Sequence, residues 1–264
     1  MIKQIIEQKI HTMAQNPEGN TRYRTPLIAY LPAGHPNLKR LKEVAHAGHL
    51  GPEDILPGAK SVVAFFLPFA AEIVEANKRG EGVAREWAAA YVETNRLIGT
   101  ICSSIQAELS SHGVRAAFAK ATHNFDEVEL VSFWSHKHIA WAAGLGKFGI
   151  NQLLITPAGC AGRFGSLVLD VELQTDLGPE ACAGHGLTFD DGSYPEFTYG
   201  CLIKTGKKCG KCIEYCPSGA LTEAGLDKQK CYGHLLKVSE NFTDLGLCDV
   251  CGKCVVGPCA LRGF

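Results

Sequence analysis

Neither sign of charge is in excess in this 264-residue chain: 26 lysines and arginines face 27 aspartates and glutamates, for a formal net charge of −1. So even a balance leaves no gross electrostatic footprint for nucleic acid or an anionic membrane. Long apolar runs are also missing. A spanning helix needs about 18 or more apolar residues in succession, and the longest candidate, Ser61 to Ala71, is interrupted by Pro68. Met1 to Ala14 carries Ile2, Ile5, Ile6, Ile10 and Met13 as a short amphipathic helix, without the contiguous hydrophobic segment and cleavage site of a secretory signal. There is no low-complexity tract and no internal repeat apart from paired cysteine runs. These absences predict no membrane partner and, with many thiols to keep reduced, a cytoplasmic protein. The 46% hydrophobic content is ordinary for a globular protein and allows one large core or two modest ones.

Cysteine is what the chain has in quantity. Of 12 in all, nine fall in the last 64 residues. The first run is Cys201, Cys209, Cys212 and Cys216, spaced C-x7-C-x2-C-x3-C and closed by Pro217; Cys231, Cys248, Cys251, Cys254 and Cys259 follow. Thiolates hold iron–sulfur cubanes, and the bacterial ferredoxin run ends in the same C-x3-C-P step, its fourth cysteine serving the other cluster. The pattern predicts two [4Fe–4S] clusters. If the crossing rule holds, one takes Cys201, Cys209, Cys212 and Cys259, and the other takes Cys216, Cys231, Cys251 and Cys254. Cys248 is then the spare; the other assignment uses Cys248 and frees Cys231 or Cys254. A single structural zinc held by the two CxxC pairs is the competing reading, but it leaves Cys216, Cys231 and Cys259 idle and gives no reason for Pro217. A disulfide framework suits small secreted domains instead. Cys102, Cys160 and Cys182 are expected to be small buried residues with no ligand role.

Composition shifts near residue 195, which divides the chain into an α/β region, 1–195, and a cysteine-rich region, 196–264. Lys60 to Leu67 is a continuous apolar run after Pro57-Gly58, suited to a strand buried on both faces. Glu81 to Ser111 has Trp87, Tyr91, Leu97, Ile101, Ile105 and Leu109 at helical spacing and stops before Gly113. Short strands are expected at Val114–Ala119, Leu153–Thr156 and Ser166–Leu173, and a helix at His136–Leu145. Strands alternating with helices indicate an α/β layer.

The central segment, Ala143-Gly144-Leu145-Gly146-Lys147-Phe148-Gly149-Ile150-Asn151, satisfies neither nucleotide fingerprint. It lacks the GKS or GKT ending of a phosphate loop and follows a helix where a dinucleotide motif should open one. Its glycines permit a helix cap, a tight turn and close approach of backbone to something bulky, whether a ligand or the cysteine-rich lobe.

Pro57-Gly58-Ala59-Lys60-Ser61-Val62 before a strand, the A-G-L-G-x-x-G-x-N block, the strand near Gly165 to Asp170 and the double cysteine tail, in that order, resemble epoxyqueuosine reductase. The resemblance covers about residues 50 to 264. It implies a nitroreductase-like α/β corrinoid-binding domain followed by a small ferredoxin-like lobe, with cobalamin and two [4Fe–4S] clusters removing an epoxide oxygen from a modified tRNA base. Related enzymes are the corrinoid reductive dehalogenases. Gly144, Leu145, Gly146, Gly149 and Asn151 become the candidate cofactor-binding residues. The departures are specific. The family's proton-donating aspartate falls on His136, the lysine before the asparagine is Ile150, the first cysteine run is stretched, and the family's tRNA-holding helical repeats have no counterpart up to Phe264. The departures weigh against tRNA as the substrate and leave a small molecule or another substrate in its place.

An imidazole with a reference pKa near 6.5 can donate a proton near neutrality, which makes His136 the candidate catalytic acid; a helix-capping or solvated role is its plain alternative. His46 and His49 are given no role, Trp134 and Trp141 are expected in core or pocket wall, and Asp126, Glu127 and Glu129 in a solvated acidic turn. Lys204, Lys207 and Lys208 beside the first cysteines suit an acidic electron donor such as ferredoxin or flavodoxin. The sequence therefore predicts an iron–sulfur oxidoreductase passing single electrons to a corrinoid or substrate. The alternative is an electron-transfer or reductive-activation protein with two clusters and no organic cofactor.

Overall fold

A computed structural model of the chain describes residues 1–175 and 200–263, together with the backbone of Leu187–Asp190 and Tyr194–Phe197. Cys182 lies outside the described residues. The central sheet has four strands in the order Leu27–Pro32, Ser61–Pro68, Gly162–Leu169, Ala116–Ala117, each antiparallel to its neighbours. Every residue of Ser61–Pro68 is buried. Its side chains alternate between two cores, which explains why the sequence runs apolar without a polar face. Val63, Phe65 and Leu67 join Ile6, Ile10, Ile98, Ile101 and Ile105 beneath the helices Ile2–Gln15 and Arg85–Ser111. Val62 and Ala64 join Trp134, Ile139, Ala140 and Leu145 on the other side.

Register fixes the packing between the two central strands. Phe65 pairs with Gly165, and a Cβ there would stand 2.3 Å from the Phe65 ring, so only glycine leaves room for it. Phe65 is wholly buried, and truncating such a ring to alanine costs roughly 3–5 kcal/mol.

The long helix begins at Arg85 rather than Glu81. Gly80 has φ of 69°, and the Ala84 N–H is received by the Asn77 side chain, so the segment from Gly80 turns before the helix can start. The expected strand at Val114–Ala119 shortens to Ala116–Ala117, and the strand expected from Ser166 runs instead from Gly162 to Leu169. Leu27–Pro32 is a strand the sequence pattern did not reveal. The acidic segment forms the tip of a hairpin between Phe125–Asp126 and Val131–Ser132, where the Asp126 carboxylate receives the Val128 and Glu129 N–H groups.

A third core ties the cysteine-rich region to this layer. Phe69, Ile73, Val74, Trp87 and Tyr91 pack with Val238, Phe242, Cys248, Val250, Val255 and Ala260. The backbone adds to it: Gly159 has φ of 84° and lies so close to Ala260 that a Cβ would approach the carbonyl oxygen to 2.2 Å, while the Ala161 N–H donates to that carbonyl at 3.0 Å. Among the described residues no helix is long and apolar enough to cross a membrane.

Candidate redox site

The C-terminal cysteines divide between two cavities. Cys201, Cys209, Cys212 and Cys259 line one, with Ile150, Ile155 and Pro258 completing an apolar wall. Cys216, Cys231, Cys251 and Cys254 line the other, of about 380 Å³, with Trp87, Tyr91, His234 and Asp249. Local structure presents these sulfurs. Cys212 sits on the short helix Lys211–Glu214, entered through Gly210 at φ of 84°, and Cys231 on the helix Lys228–Ser239, capped by the Asp227 side chain. The Leu221 N–H donates to Cys216 Sγ at 3.4 Å.

The thiols also act on one another, within each cavity and, between Cys212 and Cys254, across the two. Burial pushes the Cys212 thiol up to about 11, aided by Cys259, Cys201 and Cys209. The Cys254 thiol is also pushed up by burial, then by Cys251, Cys231, Cys216 and Cys212. Mutual repulsion of this kind is what a cationic centre bound by thiolates offsets. Among the described residues no three His, Cys, Asp or Glu side chains converge on a point that would hold a single ion.

Cys248 lines neither cavity; it is wholly buried and its thiol donates to the Ala88 carbonyl at 3.6 Å. Cys102 is buried in the helical core, and burial raises its pKa. Cys160 is buried as well, but its sulfur lies 3.7 Å from Cys259 Sγ and borders the second cavity.

The CGKC loop of the second cavity is anchored by polar groups. The buried Lys253 ammonium donates to the carbonyls of Asn77 at 2.7 Å and Gly80 at 2.9 Å, and the Asn77 amide donates to the Cys251 carbonyl at 2.9 Å. Asn151 borders both cavities and donates to the Cys254 carbonyl.

A smaller cavity of about 190 Å³ adjoins the second; Lys137, Leu153, Cys160, Gly162 and Arg163 line both. Lys137 Nζ donates to the Gln152 carbonyl at 3.0 Å, and burial, then the charge of Lys228, lowers its pKa to about 8. The Arg163 guanidinium stacks over the Tyr91 ring at 4.5 Å. His136 lines this smaller cavity and is buried. Its Nε2–H donates to the Lys120 carbonyl at 3.0 Å, so Nδ1 is the acceptor for the Ser166 hydroxyl at 2.7 Å, while Ser166 Oγ receives the Trp134 indole N–H at 2.9 Å. Burial lowers its pKa to about 4. The ring is neutral at pH 7 with both nitrogens engaged.

The glycine block is used by the chain itself. Gly144, at φ of 78°, ends the helix His136–Ala142; Gly146 lets the Ile155 carbonyl approach to where a Cβ would be 2.4 Å away; Gly149 does the same for the Asn151 side chain; Leu145 is core. Of the five candidate cofactor-binding residues, only Asn151 lines any of these three cavities. Lys137, Arg163, Asn77 and Lys253 escaped the sequence reading as site residues. The one local signal was Lys253 inside CGKC.

Solved structures share the fold of this antiparallel α/β layer and the cysteine-rich region packed against it. An epoxyqueuosine reductase in complex with an epoxyqueuosine-modified tRNA stem loop aligns with a TM-score of 0.57 at 18% identity, over 100% of this chain and 68% of that one. The Bacillus subtilis epoxyqueuosine reductase gives 0.57 at 19%, with the same coverage. A catabolic reductive dehalogenase gives 0.56 at 15%, over 89% of this chain and 30% of that one. In sequence, the chain is 28% identical over 190 residues to epoxyqueuosine reductase of Bacillus cereus; the match covers 70% of this chain and 42% of that enzyme's length. No protein-family model matches. The resemblance to epoxyqueuosine reductase seen in the motifs therefore extends to sequence and fold.

Proposed function

We propose that the protein is an iron–sulfur oxidoreductase resembling epoxyqueuosine reductase, with one [4Fe–4S] cluster on Cys201, Cys209, Cys212 and Cys259 and a second on Cys216, Cys231, Cys251 and Cys254. The observation that carries the reading is the interleaved sorting of eight sulfurs, four to each cavity, in the order the ferredoxin crossing rule requires. When bound, such clusters relay single electrons. The chain's residues do the rest. Exposed Cys209, with exposed Lys204, Lys207 and Lys208 near it, marks the side where an acidic donor such as ferredoxin or flavodoxin delivers electrons. Asn77, Lys253 and Asn151 hold the CGKC loop rigid, which limits reorganisation as charge arrives. Lys137 and Arg163 give the inner cavity a cationic wall suited to an anionic or polar substrate, and Lys137, with its lowered pKa, is the better-placed proton source beside His136. The domain reading that accompanies it is a nitroreductase-like region over 1–195 and a ferredoxin-like lobe over 196–264.

The resemblance also suggests cobalamin, which would supply low-valent cobalt chemistry. The cavity of about 380 Å³ is the one assigned to the second cluster, the cavity of about 190 Å³ beside it is small for a corrinoid, and the block glycines are closely approached by the chain's own atoms. The described residues do not enclose a corrinoid. That favours, as the second reading, a protein that delivers electrons to a partner or small substrate without an organic cofactor. Anaerobic reconstitution followed by desalting separates the two: cobalamin retained in stoichiometric amount supports the first, and its complete loss with the clusters intact supports the second. A protein that takes up no iron contradicts both.

A further inference from the structure

Two buried nitrogens have no hydrogen-bond partner, and both belong to the second cavity: Trp87 Nε1 and His234 Nε2. The third such atom among the described residues, Asn95 Oδ1, is an acceptor on a residue that lines none of the three cavities. Orphaned buried polar atoms are rare in native interiors and point to an absent partner. An indole N–H can only donate, so the partner of Trp87 must be an acceptor.

The placement of each is dictated by its element. Trp87 lies in the first turn of the long helix, with Tyr91 one turn on and lining the same cavity. A Cβ on Gly252 would stand 2.2 Å from Trp87 Nε1, so the indole edge is laid directly against the backbone between Cys251 and Lys253. Gly252 has φ of 69°, a second reason for glycine there. His234 follows Cys231 by three residues on the helix Lys228–Ser239 and shares its face, as does Leu235.

We infer that Trp87 Nε1–H and His234 Nε2–H donate hydrogen bonds to sulfur atoms of the second cluster, its sulfides or its cysteine thiolates. The inference rests on the cluster reading above. Donors aimed at cluster sulfur stabilise the added electron and raise the reduction potential. The first cavity offers no such orphaned donor among the described residues; apart from its cysteines and Asn151 its wall is apolar and backbone. The Trp87 and His234 donors therefore raise the potential of the second cluster, which favours the passage of electrons from the exposed Cys209 side toward the cavity bordered by Lys137 and Arg163.

The test is a potentiometric titration, followed by electron paramagnetic resonance, of the full chain reconstituted anaerobically with iron and sulfide, as the parent and as Trp87→Phe, His234→Leu, His234→Gln and the Trp87→Phe/His234→Leu double variant. Iron and sulfide are counted on the same samples. The expected result is full iron content in all, a lower potential for one cluster in Trp87→Phe and His234→Leu with the other unmoved, and partial recovery in His234→Gln, whose amide keeps a donor near the Nε2 position. A tenfold change in the reduced-to-oxidised ratio at fixed potential, about 59 mV for one electron, is the size expected of the double variant. Should Trp87→Phe fail to fold, His234→Leu and His234→Gln decide alone. Iron-replete variants that titrate as the parent overturn the inference and leave the cluster reading standing; a parent without iron overturns both.

Discussion

The Asn151 amide nitrogen donates to the Cys254 carbonyl oxygen at 3.0 Å, across 103 residues of sequence. Its own oxygen receives the Leu153 N–H at 3.3 Å. One buried side chain thus pins the glycine block to the CGKC loop and stands in the wall between the two thiol-lined cavities. Replacing it with alanine leaves the Cys254 carbonyl and the Leu153 N–H without partners. Asn151→Ala should lose roughly 1–3 kcal/mol, seen as a lower denaturation midpoint, and should release iron to a chelator faster than the parent.

Cys248 and Cys254 are predicted to behave differently although both are thiols of the same region, the first buried and the second partly so. Cys248 contributes packing and a weak S–H donor to the Ala88 carbonyl, so Cys248→Ala keeps its full iron complement with a modest loss of stability. Cys254→Ala and Cys212→Ala should each lose one cluster, about four irons per chain, and retain the other. Iron and sulfide analysis of the three purified variants distinguishes the assignment from the one that makes Cys248 a ligand.

Protonation of His136 opposes folding. Its folded pKa, about 4, lies below the ordinary 6.5, because burial disfavours the imidazolium. Between these values the unfolded chain binds a proton that the folded chain does not, so stability rises with pH across that window and is lost as pH falls. His136 alone contributes a slope of roughly 1 kcal/mol per pH unit between about pH 5 and 6. Urea denaturation over that range should show the slope reduced by this amount in His136→Gln, whatever the variant's absolute stability. An unchanged slope would mean that the folded ring titrates normally.

Electron entry should depend on charge at the exposed edge of the first cavity. Lys204, Lys207 and Lys208 are exposed beside the exposed Cys209, and complementary charge acts chiefly on association rate. Reversing all three to glutamate should slow reduction by an acidic donor by about tenfold or more at low salt, with the difference shrinking at high salt. Stopped-flow reduction by a flavodoxin at two ionic strengths measures this; equal rates would place the donor elsewhere.

What the sequence disclosed, and what it hid, follows from range. Ser61–Pro68 announced itself because a strand buried on both faces needs no polar alternation, and the pairs Cys209/Cys212 and Cys251/Cys254 stand out in the sequence because their spacing is local. Leu27–Pro32 was hidden by Pro26 and Pro32, which demote a strand reading although proline is tolerated at strand ends. Glycines at 146 and 149 do permit a close approach, but the approaching groups are the Ile155 carbonyl and the Asn151 side chain of the same hairpin rather than a ligand or the cysteine-rich lobe, which pattern alone could not show. Trp87 against Gly252, Asn77 against Lys253 and Arg163 over Tyr91 are pairings between distant segments, and no local spacing encodes them. His136 was singled out by its position relative to the family's aspartate, a count that carries no information about the Ser166 and Lys120 partners that occupy both its nitrogens.

The most direct test is the iron, acid-labile sulfide and zinc content of the full chain prepared without oxygen, taken with the spectrum of its reduced form. The account predicts about eight irons and eight sulfides per chain, no stoichiometric zinc, and two interacting paramagnetic centres on reduction. One zinc per chain, or a protein that holds neither iron nor sulfide after reconstitution, would contradict it.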